Sequence, residues 1–141
     1  KGNFEALPGH LSGILIYGEQ RGAAFADYNM DARIDLLVTQ NGAKTKLYQN
    51  TNSKPGLRVR LRGPKNNPWA FGSKIRIQYN DGTMGPVREI QSGSGYWSQN
   101  SPIQVMGLKK EAKKVYIQWP DGSKTTEIVQ GEKLIATYRS P

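Results

Sequence analysis

The stretch Leu57-Arg58-Val59-Arg60-Leu61-Arg62 alternates apolar and cationic side chains with a period of two. Successive side chains of a strand point to opposite faces, so this run must bury one face and solvate the other. Ile75, Ile77 and Tyr79 alternate with Lys74, Arg76 and Gln78 in the same way. Further short apolar runs at 87–90, 103–106, 115–119, 125–129 and 134–138 are separated by turn signals. Two of these are Asn80-Asp81-Gly82 and Pro120-Asp121-Gly122, where Asp-Gly tolerates the positive φ of a tight hairpin. Seven such strands predict an all-β fold, a β-sandwich or barrel-like domain over residues 54–141. Trp119 falls in one of the alternating runs and is expected in the core.

Charge divides the chain at the same place as pattern. Residues 1–53 carry five Lys/Arg and five Asp/Glu, whereas residues 54–141 carry fifteen against six, the whole of the net +9. The break coincides with Asn52-Ser53-Lys54-Pro55-Gly56, which sets the expected domain boundary between 53 and 54. A basic half of this kind attracts anionic partners.

Several function classes fall away. With no cysteine there is no disulfide, thiolate nucleophile or Cys-zinc site, and the single histidine, His10, has no second histidine to join it. No nucleophile–base pair is visible, so an enzyme is not expected. No run reaches the ~18 apolar residues of a membrane span. The chain begins at Lys1 and reads as a piece of a longer protein.

The first half carries one chemical motif. Between the expected strands at 23–26 and 36–39 lie Asp27, Asn29, Asp31, Arg33 and Asp35, at alternate positions of a short loop. Calcium takes six to eight oxygens at ~2.3–2.6 Å, and alternate loop residues can turn their oxygens toward one point. The four acidic or amide side chains, with the Arg33 carbonyl, are the expected ligand set. A further short strand is expected at 13–18.

The run Ala24-Phe25-Ala26-Asp27-Tyr28-Asn29, with Asp35-Leu36 and Leu47-Tyr48-Gln49-Asn50, resembles an FG-GAP/VCBS-type repeat. The resemblance implies a single propeller-type blade over 1–53 with structural Ca²⁺. Ala32 stands where that pattern usually has Gly. Ala costs roughly 1 kcal/mol at the positive φ of a sharp turn, which weakens the expected site.

Residues 56–122 contain Val59-Arg60-Leu61-Arg62-Gly63, Asn67-Pro68, Phe71-Gly72-Ser73-Lys74-Ile75, Gly93-Ser94-Gly95-Tyr96, Ser98-Gln99-Asn100-Ser101-Pro102 and Trp119-Pro120-Asp121-Gly122. In order and spacing these resemble the ASPIC/UnbV domain. The resemblance implies an exported protein, in an extracellular, cell-surface or periplasmic setting, and it implies no reaction.

Sugars are recognised by aromatic faces ringed with amides and charges. Trp69, Arg88, Tyr96, Trp97, Gln99 and Asn100 offer those groups and are the expected ligand-binding residues. The same loop could instead serve backbone geometry. The expected function is therefore non-enzymatic adhesion or recognition of a glycan or extracellular protein, with a purely structural propeller cap as the alternative. Nucleic acid is not expected as partner, because no module signature accompanies the arginine stripe. Exposed blade edges would offer a route to homo-oligomers.

Overall fold

The computed structural model describes residues 3–139. The only helix among them is α1, Gly9–Ser12, a single turn closed by Gly13 at φ 76°. Three strands follow: β1 (Gln20–Ala26), β2 (Asp35–Gln40) and β3 (Lys46–Tyr48), an antiparallel sheet in the order β1-β2-β3.

Seven strands make up the rest: β4 (Leu57–Arg62), β5 (Lys74–Tyr79), β6 (Arg88–Glu89), β7 (Gln104–Met106), β8 (Ala112–Gln118), β9 (Lys124–Ile128) and β10 (Lys133–Thr137). They form two sheets, β10-β4-β7 and β6-β5-β8-β9. β10 runs parallel to β4; every other pairing is antiparallel.

The alternation decides the packing. Leu57, Val59 and Leu61 of β4 and Leu134 and Ala136 of β10 turn inward. They meet Ile75, Ile77, Val115 and Ile117 of the second sheet in one core. Trp119 closes it. Its indole N–H donates to the Thr125 hydroxyl at 3.0 Å, and its ring meets Tyr138 edge-on at 5.4 Å between centroids. Burying the largest apolar side chain here stabilises by several kcal/mol, since truncating a core Trp to Ala costs ~3–5 kcal/mol.

Two expectations are corrected. No barrel forms: all three sheets are open, each with two edge strands. Closure between the larger sheets would have to join both pairs of edges, β6 to β7 and β9 to β10; neither pair is hydrogen-bonded, and β6 and β7 are only two and three residues long. Pro86 precedes the first, and Pro102 and Gly107 bracket the second. Proline lacks the N–H a ladder needs and glycine weakens a strand, so neither strand extends through those residues.

The N-terminal sheet is not a propeller-type blade either. A blade has four strands, and this sheet has three. The strand expected at 13–18 is absent, because Gly13 and Gly18 both adopt positive φ, 76° and 112°. Ser12 Oγ also takes the Ile14 N–H, holding the segment in a local turn.

Candidate functional site

The segment between β6 and β7 crosses from one large sheet to the other, and on the way it meets the outer edge of β1. The Ser98 hydroxyl accepts the Ala23 N–H at 3.0 Å, and the Asn100 amide oxygen accepts the Phe25 N–H at 2.9 Å. The Ser101 N–H donates back to the Phe25 carbonyl at 2.9 Å. Alternate N–H groups along an unpaired strand edge point outward; here side chains 75 residues away satisfy two of them. The β1 edge is thus covered, and β3, three residues long, is the other edge of that sheet.

The approach is close at backbone level. A Cβ on Gly22 would lie 2.7 Å from the Trp97 carbonyl oxygen. The loop also braces itself. Ser94 Oγ accepts the Asn100 N–H at 2.8 Å, the Ser94 N–H donates to the Ser98 carbonyl, and Ser98 Oγ donates to the Tyr96 carbonyl at 2.9 Å.

At its tip, Gly95 and Ser98 pair across a tight turn with Tyr96 and Trp97 at the centre. Trp97 adopts φ 51°, a left-handed conformation that costs a non-glycine residue roughly 1–2 kcal/mol. The two rings stack at 5.5 Å between centroids and 24° between planes, and are 71% and 78% exposed. Exposed aromatics held on a strained turn are a candidate contact surface.

Beneath the loop lies a polar cavity of about 210 Å³, lined by Arg88, Glu89, Gln91, Ser94, Asn100, Ser101 and Gln104. Of the six expected ligand-binding residues, the structure gathers Arg88 and Asn100 here. Tyr96 and Trp97 form the turn above, and Gln99 is exposed between the two groups. Trp69 belongs elsewhere: the Arg60 guanidinium lies 5.5 Å from its ring centroid, a cation–π contact on the β4 side of the molecule. Serine carries no signal of its own: Ser98 and Ser101 take their role from the strand edge they meet, and Ser94 from the loop it braces.

The Asp27–Asp35 loop is occupied by internal partners. Asp35 accepts the N–H groups of Tyr28 (3.2 Å) and Asn50 (2.8 Å). Asp31 accepts the Arg33 N–H at 2.9 Å and the Asn29 amide at 2.9 Å, and its carboxylate lies 3.2 Å from the Arg33 guanidinium. Burial works to raise the Asp31 carboxyl, but these hydrogen bonds and the Arg33 charge outweigh it and hold it below its ordinary value.

Asp27 Oδ2 takes Arg58 Nε at 2.9 Å and the Ala32 N–H at 3.3 Å. Asp27 Oδ1 is buried and has no partner. Arg58 comes from β4, 31 residues away, and nothing in its alternating run marks it for this pairing. Ala32 is buried with φ 61°, the left-handed conformation expected of a Gly at that position. Among the described residues, no three Asp, Glu, His or Cys groups are placed to hold a metal ion. The loop therefore has the oxygens calcium prefers, but as arranged it does not fit the ion. Among the same residues no helix is long and apolar enough to cross a membrane.

Two open β-sheets on one core, with an aromatic turn tied to the edge of a third, make a β-rich fold. The comparisons make this specific. Residues 63–136 match the model of the ASPIC and UnbV family, and the chain belongs to that family. It is similar to Cartilage acidic protein 1 of Xenopus tropicalis, 28% identical over 121 residues, covering 82% of this chain and 18% of that protein. The Mus musculus protein of the same name is 27% identical over 123 residues, 83% of this chain and 19% of its own length. The Homo sapiens protein is 28% identical over 122 residues, 82% and 18%. The chain thus spans about a fifth of the length of these relatives. No propeller repeat is matched ahead of the family domain. Membership of this family makes the chain a non-enzymatic module.

Proposed function

We propose that this chain is an extracellular adhesion or recognition module, whose partner is a glycan or a protein engaged at the 93–102 loop. The observation that carries the reading is the stacked Tyr96–Trp97 pair, exposed at the tip of a turn whose other side chains tie it to β1. A core would bury these rings and a plain connection would not strain Trp97; an aromatic platform beside a polar cavity suits the apolar faces and hydroxyls of a sugar. Arg88, Gln99 and Asn100 supply polar contacts in this reading, and Trp69, bound to Arg60, a separate aromatic surface. The division of the chain between residues 53 and 54 is part of the same proposal.

Calcium enters the reading as an ion that displaces two arginines. It would need Arg58 to leave Asp27 and Arg33 to leave Asp31, and the buried, unpartnered Asp27 Oδ1 is an oxygen such an ion could take. Asp27, Asn29, Asp31 and Asp35, with the Arg33 carbonyl, would then hold a structural cation.

Binding of the whole chain to a glycan microarray tests the recognition role. Defined glycans retained by the unaltered chain and lost with the Tyr96→Ala/Trp97→Ala double variant are the expected result. Identical binding by both chains overturns the assignment to this turn.

A further inference from the structure

The outer face of the β6-β5-β8-β9 sheet carries a second surface. Register places Lys74 beside Gln118 and Lys124 across three strands, and Arg76 beside Tyr116 and Thr126 in the next row. Lys114 lies in the row after that, opposite Gln78. These residues share one parity, and residues of the other parity, Ile75, Ile77, Val115 and Ile117, are buried, so Lys74, Arg76 and Lys124 are exposed on one side, with Lys114 half-buried beside them. Among the described residues none of the four cations makes an ion pair; the four salt bridges of those residues lie elsewhere. By register Glu89, beside Lys74, is the one carboxylate on this face.

The face is shaped as well as charged. A groove of about 240 Å³ lies on it, lined by Lys74, Arg76, Val87, Tyr116, Gln118 and Lys124. Two of the groups are held in place. Arg76 Nε donates to the Gly85 carbonyl at 2.7 Å, and the Tyr116 hydroxyl donates to Gln78 Oε1 at 3.2 Å.

We propose that this face docks an acidic polysaccharide, its sulfate or carboxylate groups on Lys74, Arg76, Lys114 and Lys124 and a sugar ring on Tyr116. Charge complementarity names the anion, and the Tyr116 ring among the cations names the sugar: a pyranose offers apolar CH faces to a ring while its acid groups reach the surrounding cations. A single-stranded nucleic acid asks for successive aromatic rings to stack its bases, and this face has only Tyr116. The inference shares the recognition reading's class of partner but uses a different surface, so loss of the Tyr96–Trp97 turn leaves it standing.

The test is a titration of the full chain with a heparin-derived octasaccharide at several salt concentrations. A single-stranded DNA oligonucleotide of equal charge is run beside it. The variants are Lys74→Ser/Arg76→Ser/Lys124→Ser and, as an equal charge loss away from the face, Lys44→Ser/Lys46→Ser/Lys54→Ser. Thermal unfolding confirms that each variant folds, and Lys124→Glu alone serves if the triple variant does not. The expected result is octasaccharide binding weakened at least tenfold in the face variant and less than twofold in the control. The salt slope should flatten by up to about one per cation removed, as for other polyanions. Equal losses in the two variants, tighter binding of the DNA, or no octasaccharide binding by the unaltered chain would overturn the proposal.

Discussion

Asn100 accepts the Phe25 backbone N–H at 2.9 Å across 75 residues of sequence, and so pins the family's Gly/Ser loop to the free edge of an N-terminal strand. Truncating it leaves that edge N–H to water. A hydrogen bond of this kind contributes ~0.5–1.5 kcal/mol. Asn100→Ala is expected to lower stability by about that amount in denaturant unfolding, and to speed hydrogen exchange at the Phe25 amide more than at amides in β5 or β8.

Gly22 marks the closest backbone approach between the loop and β1. Gly22→Ala drives a methyl to 2.7 Å from the Trp97 carbonyl, so the strand or the loop must shift. The expected cost is ~1–3 kcal/mol, the range for overpacking. A changed Trp97 emission should accompany it, read in a Trp69→Phe background where buried Trp119 is the remaining reference.

Ala32 sits at φ 61° in the acidic loop. Glycine adopts that conformation without a Cβ penalty. The ~1–2 kcal/mol of strain relieved, less the ~0.4–1 kcal/mol of entropy glycine adds to the unfolded state, leaves Ala32→Gly stabilising the chain by about 0.5 kcal/mol. An unchanged or lower midpoint of thermal unfolding would count against strain at this residue.

Arg58 competes with any cation for Asp27. If calcium enters the loop, Arg58→Ala should tighten its binding in calorimetric titration of chelator-treated protein, and Asp31→Ala should abolish it. No heat from Arg58→Ala at millimolar calcium would mean that this loop is held by arginines alone.

The Asp121 turn sets an acid-sensitive contribution. The Tyr138 hydroxyl donates to its carboxylate at 2.7 Å, and the Ser123 hydroxyl and N–H add bonds at 2.7 and 3.0 Å. These bonds, Tyr138 first, hold the carboxyl below its ordinary value. A depressed folded-state value means the contribution is present above the unfolded pKa of ~3.9 and is lost as pH falls through the folded one. Asp121→Asn should lower the unfolding midpoint at pH 7, and the gap between variant and parent should shrink below pH 4.

The β4 and β5 strands are legible in sequence because the period of two is local, and the core they build follows from it. The acidic loop is legible as a set of oxygens, but not as to what those oxygens contact: Arg58 reaches Asp27 only once β4 is in place. The missing strand at 13–18 turns on two glycine dihedrals, which apolar content does not report. Barrel closure depends on edge lengths at β6 and β7, set by Pro86 and Pro102 more than by the apolar residues between. The role of Ser98 and Asn100 was least visible, since a loop's partner across 75 residues leaves no mark in its own composition.

Recognition at the 93–102 loop rests on Trp97. The most direct measurement compares the affinity of the strongest array-positive glycan for the unaltered chain, Trp97→Ala and Asn100→Ala. At least a tenfold loss is expected in Trp97→Ala with no fall in its unfolding midpoint, and a smaller loss in Asn100→Ala, which removes one polar contact. Equal affinity for the unaltered chain and Trp97→Ala would contradict it.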